Sequence, residues 1–135
     1  MKRSPIRKKG KSATSKLQAK CDKLLSPIIK YMYPVCLLNG SLGNPKCTYD
    51  TQVAHHHIKK STSSRLRYEI DNLVPLCNHC HAMLHHNETY WSSVLVKING
   101  LDWFKDLELK KQESIRVNKA YYEEQLERLQ GFPKD

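Results

Sequence analysis

Apolar residues return every three or four positions through Leu17, Cys21, Leu24, Leu25, Ile28 and Met32, the spacing of an amphipathic helix that begins near Thr14. Pro27 interrupts it. Ser26 can cap and Pro27 suits a first helical position, so the segment reads as one helix ending near Leu25 with another starting at Ser26, or as a single kinked helix. Residues 34–50 are turn-rich, with Pro34, Asn39, Gly40, Gly43, Asn44 and Pro45 between or beside Cys36 and Cys47; this predicts a loop with a cysteine at each end. Residues 51–58 predict a short strand, 59–64 a polar loop, and 65–73 a second strand or extended segment leading into Pro75. A helix is expected from Asn78 through His86, with further helices over 89–98 and 101–110 separated by Gly100. A final helix carries Ile115, Tyr122, Leu126 and Leu129 on one stripe, and Gly131 then Pro133 stop it.

Length and composition narrow the class. At 135 residues, 39% apolar and 8% aromatic, the chain fits one domain with a modest core that a metal or partner would help to hold, which excludes a large multidomain enzyme. No stretch approaches about 18 uninterrupted apolar residues. The start, MKRSPIRKKGKS, lacks the apolar run of a signal peptide, so a soluble, cytoplasmic protein is expected. Five cysteines, an odd number in a reducing compartment, favour metal binding over a disulfide framework. The net charge is +10, and residues 1–23 hold nine Lys/Arg against one acid, so most of the excess sits at the start. Residues 1–13 therefore read as a disordered basic arm whose Lys8, Lys9 and Lys11 would meet the phosphates of a nucleic acid. A solubilising tail is the alternative.

The chemistry concentrates between Cys36 and His86. Cys77-Asn78-His79-Cys80 has the spacing with which two thiolates reach one zinc ion from a tight turn, and Cys36 and Cys47 would complete four ligands. A thioredoxin-like redox pair is the competing reading of C-x-x-C, but no βαβ pattern precedes it. Cys21 lies on the core stripe of the first helix and reads as an ordinary apolar residue. All seven histidines fall between His55 and His86. His81 and His85, four apart on a predicted helix, project from one face and can grip one metal ion.

Taken together, His56-His57, Asn72, His81 and His85 resemble the HNH (ββα-metal) endonuclease motif. The steps of 15 residues from His57 to Asn72, nine to His81 and four to His85 resemble colicin-type nuclease toxins, and the text from Asn72-Leu73-Val74-Pro75-Leu76 through Cys77-Asn78-His79-Cys80-His81 is similar to the zinc-stapled branch. The basic start, the helix around Cys21 and the aromatic helical tail are similar to phage recombination nucleases of the NinG type. The resemblance implies that His57 is the general base and that His56, His81 and His85 hold a divalent cation (Mg2+, Mn2+, Ni2+ or Zn2+) that polarises the scissile phosphate. Asn72 would brace the loop carrying the base. The products would be 5′-phosphate and 3′-hydroxyl ends.

In a regular strand His56 and His57 face opposite sides while His55 and His57 share one, so a bulge or strand end is required here. The spacing to Asn72 selects the 56/57 pair and leaves His55, His79 and His86 without a role. Lys59, Lys60, Arg65 and Arg67, in or near the loop between the motif halves, are candidate DNA-backbone contacts, with a solvated loop as the alternative for each. The expectation is an α+β fold, a mainly helical chain around a ββα-metal motif with a structural zinc knuckle. One HNH nuclease domain would span 14–135, its core about 47–88 and its flanking helices 14–33 and 89–130. Its cofactors would be one structural Zn2+ and one catalytic divalent cation. Its partner would be duplex or branched DNA, as for a phage recombination or replication nuclease, and any homodimer would form through the C-terminal helix. A packaging-associated nicking nuclease and a non-catalytic zinc-stapled DNA-binding module are the alternatives.

Overall fold

The computed structural model describes residues 12–39 and 46–135. Residues 1–11 of the expected basic arm, with Lys8, Lys9 and Lys11, lie outside the described residues, while Ser12 and Ala13 already belong to the first helix. The Ser12 side chain accepts the Ser15 N–H at 3.1 Å and caps helix α1 (Ala13–Met32). This helix runs unbroken through Pro27. Cys21, Leu25, Ile28 and Ile29 are all at most 3% exposed, and burying each large side chain is worth about 1.5–3 kcal/mol, which together outweighs the ~3 kcal/mol of an interior proline.

The partner of that apolar face is helix α5 (Lys119–Gln130), capped by the Asn118 side chain on Tyr121 N–H. Tyr122 and Leu129 pack with Cys21, Leu25, Ile28, Ile29, Tyr68 and Leu73 in one cluster. The stripe considered for a homodimer is thus packed within the chain. Its first expected member, Ile115, precedes the helix.

Between these helices and the rest lies a two-stranded antiparallel sheet, β1 (Val53–His56) and β2 (Leu73–Leu76), pairing Val53 with Leu76 and His56 with Leu73. Both strands differ from the sequence expectation. Strand β1 is shorter than 51–58 because Thr51 pairs instead with Pro34 and Tyr33, and Ile58 with the side chain of Asn72. The second strand is not 65–73: residues 65–68 turn, a single 3-10 turn covers Ile70–Asn72, and β2 starts at Leu73. The cause is Asn72, fully buried, whose amide donates to the carbonyls of Ile58 and Leu66 and folds the segment back on itself. Pro75 is tolerated in β2 because a two-stranded sheet leaves each strand an outer edge; there its carbonyl accepts the Leu37 N–H.

The other helices fall where the pattern put them, within the usual uncertainty of helix ends: α2 (Asn78–His86), α3 (Glu88–Asn99) and α4 (Leu101–Lys111). Gly100, at φ +98°, supplies the left-handed backbone that separates α3 from α4. Leu76, Cys77, Cys80, Leu84, Trp91 and Leu95 build a second core on the α2–α3 side of the sheet, and Leu107 of α4 closes a third with Ile58 and Leu66. The architecture is α+β. No helix among the described residues is long and apolar enough to cross a membrane.

Candidate active site

Strand alternation decides what each histidine of β1 can reach. Val53 packs on the α2–α3 core and Ala54 on the α1–α5 core, so His55 faces α2 and His56 faces α1. His81 and His85 stand one turn apart on α2, their Nε2 atoms 2.9 Å from each other, and the His55 ring lies 5.2 Å and 5.7 Å from theirs. Ring nitrogens of His55, His81 and His85 all fall within 4.8 Å of one another. The histidine brought to this cluster is therefore His55, not His56 as expected from spacing. Burial, then the neighbouring histidines, pushes His55 down to about 3, and burial also lowers His81. Neutral rings with converging lone pairs are the form a cation binds, and the donor set fits a divalent metal.

His56 has a different partner. Its Nε2 sits 2.9 Å from the Arg67 carbonyl, and Arg67 is gripped in turn by both carboxylate oxygens of Asp22 at 2.7 and 3.1 Å, with the Tyr68 hydroxyl donating to the same carboxylate. Burial holds His56 below its ordinary value, against the opposing pull of the Arg67 carbonyl. His57, just past the strand end, packs its ring 4.6 Å from Trp103, and its Nδ1 is buried with no partner among the described residues. Asn72 holds this corner: its backbone carbonyl accepts the His57 N–H, and its side-chain oxygen accepts the Ile58 N–H at 2.8 Å. Asp22 and Ser26 of α1 join His55, His56, His57, His81 and His85 around one cleft of about 610 Å³, with Lys59 and Lys60 on its wall.

The basic residues separate into two groups. Arg65 is held by Glu69 and Glu113 at 2.9 and 2.7 Å and Arg67 by Asp22, so the guanidinium groups expected on DNA are engaged within the chain. Lys59 pairs with Glu88 at 2.9 Å on the surface, and Lys60 is exposed. Sequence reasoning missed Asp22, Ser26 and Glu88. Of these only Glu88 left a signal, a carboxylate three residues after His85; it opens α3, and its carboxylate lies 2.9 Å from His85 Nδ1.

The cysteines converge about the start of α2. Sγ atoms of Cys36, Cys47, Cys77 and Cys80 lie within 4.8 Å of one another, and Cys77 and Cys47 are 3.8 Å apart. Four sulfurs each about 2.3 Å from a tetrahedral ion would be about 3.8 Å apart, so the geometry fits a zinc. The ten-residue gap from Cys36 to Cys47 closes because Val35 bridges to Asp50 and the Cys36 N–H bonds to the Tyr49 carbonyl. Cys77 caps α2, accepting the Cys80 N–H. Burial pushes its thiol up, but the Cys80 and Thr48 amides and the Cys80 and Cys47 thiols outweigh it and bring it to about 6, toward the thiolate a metal needs. Cys21 stands apart, buried with its Sγ on the Tyr122 carbonyl.

Both clusters and the bracing asparagine fall in one segment, and residues 35–87 match the model of the HNH endonuclease family. This segment is similar to an HNH endonuclease domain. No curated protein and no solved structure matches the chain. The matched HNH segment contains the four converging cysteines, the histidine cluster, His56, His57 and Asn72, while α1 and α3–α5 lie wholly or almost wholly beyond it.

Proposed function

We propose that the protein is a metal-dependent endonuclease that hydrolyses DNA phosphodiester bonds to 5′-phosphate and 3′-hydroxyl ends, with His56 as general base and His55, His81 and His85 as holders of the cation. The observation that carries the base is the His56–Arg67 contact. A carbonyl only accepts, so Nε2 must bear the proton, which leaves the lone pair on Nδ1 to take a proton from the attacking water. Burial favours the neutral ring, the form a base requires. When bound, the cation would polarise the scissile phosphate and stabilise the leaving 3′ oxygen. Asn72 holds the loop and Asp22 holds Arg67, so both act as positioning residues. The four cysteines would hold one structural Zn2+. The net charge of +10 supports duplex or branched DNA as substrate.

Plasmid cleavage by single variants tests the reading. His56→Ala should lower the rate by roughly 10²-fold or more, the usual worth of a positioned base, with cation binding retained. His57→Ala should keep most of the activity if it stays folded. The opposite result would return the base to His57. A wild-type chain that binds DNA but cuts none with Mg2+, Mn2+, Ni2+ or Zn2+ would make the domain a zinc-stapled DNA-binding module.

A further inference from the structure

The cations expected to grip DNA are largely engaged elsewhere, which leaves the question of what holds the phosphate backbone beside the cleft. Arg65 and Arg67 are closed into internal pairs, and Lys110 lies among Glu69, Asp71 and Asp106. Helix α1 is different. Lys16, Lys23 and Lys30 are exposed, and none of the three pairs with a described acid.

Their placement follows from helix geometry. At about 100° per residue, Lys16, Lys23 and Lys30 fall within roughly 40° of one another and form one line along the helix. Ser26 and then Asp22, which line the cleft beside His55 and His56, come next on the same side, and Cys21, Leu25, Ile28 and Ile29 are buried further round. The line thus borders the mouth of the cleft. It spans fourteen residues, about 21 Å at 1.5 Å per residue. Between the lysines this flank carries Ala19, Ser26 and Pro27, with the exposed Lys20 at its outer edge and no aromatic ring on which an unpaired base could stack.

We infer that this flank of α1 is a phosphate track: Lys16, Lys23 and Lys30 hold the backbone of a DNA duplex, without reading its sequence, as it runs past the histidine cleft. The inference rests on the nuclease reading and adds the surface that seats the substrate. Lysine ammonium groups against phosphodiesters act by counterion release, each duplex contact contributing about 0.9 to the slope of log K against log salt.

Duplex binding is measured across a salt series in the His56→Ala background with no divalent cation added, so that binding is read apart from cleavage. Replacing Lys16, Lys23 and Lys30 together with Gln, which keeps good helix propensity, should make the slope shallower by about 2 to 3 units, with helical content unchanged by circular dichroism. A control removes the same charge elsewhere: Lys97→Gln, Lys105→Gln and Arg116→Gln should leave the slope nearly as it was. An unchanged slope in the α1 variant, or an equal fall in the control, overturns the track while leaving the nuclease reading intact. A parent protein that binds no duplex at low salt overturns both.

Discussion

Glu88 illustrates how one side chain sets a metal site. Its carboxylate meets Nδ1 of His85 and leaves Nε2 facing His81 and His55, while Lys59 and His85 hold the carboxyl below the usual range. Carboxylates in this position orient the ligand ring, and their loss commonly costs 10- to 100-fold in metal affinity. Titration calorimetry with Mn2+ or Ni2+ should show a weakening of about that size for Glu88→Gln; equal affinity would leave Glu88 a surface residue. Asn72 works through the backbone. Its three side-chain hydrogen bonds satisfy the Ile58 N–H and the Ile58 and Leu66 carbonyls, all buried. Asn72→Ala strips those partners and should destabilise the protein on the order of 3 kcal/mol in urea unfolding.

At the scale of elements, the segment after the histidines is tied to α4 by charge as well as by packing. Glu69 accepts Arg65 at 2.9 Å and Lys110 at 3.3 Å, and Trp103 donates to the Asp71 carbonyl. Burial pushes the Glu69 carboxyl up, yet Arg65 and Lys110 outweigh it and hold it below its ordinary value. A folded value below the unfolded one means that this stability is present above the unfolded value, about 4.3, and is lost as pH falls through the folded one. The wild type should therefore lose stability faster than Glu69→Gln as pH drops below about 5, when melting temperatures are compared. Parallel acid limbs would mean that the pairs contribute nothing net. Elements with a strong period were legible from sequence: α1, α2, α3 and α4 each have an apolar face that repeats. Strand β2 was not, because four buried residues including a proline carry no alternation, and the pairing of Leu73 with His56 is a long-range choice.

At the scale of the molecule, three clusters share the burial among the described residues, and the one around α2 contains Cys36, Cys77 and Cys80 themselves. A structural zinc contributes on the order of 10 kcal/mol to folding, comparable with the whole stability of a small domain. Elemental analysis should find about one tightly held zinc per chain after dialysis against a weak chelator. Cys77→Ser should lose cooperative unfolding and shift the emission of Trp91, now 8% exposed in that cluster, to the red. A Cys77→Ser protein melting like wild type would rule out the staple. Cys21→Ser should cost far less, since a serine hydroxyl can keep the bond to the Tyr122 carbonyl of α5 and Cys21 stands outside the four-cysteine cluster.

Sequence alone displayed the ligand chemistry: four cysteines, two histidines a helical turn apart, an asparagine at the right step, and a chain lean in apolar residues. Those are properties of residue type and local period. Which member of the run His55-His56-His57 meets His81 and His85 was decided only by the tertiary structure. Neighbouring residues in a strand face opposite sides, so the choice depends on which face of β1 meets α2 and which meets α1. The fates of Arg65 and Arg67 were decided in the same way, by acids 48 and 45 residues distant along the chain that only folding brings within reach.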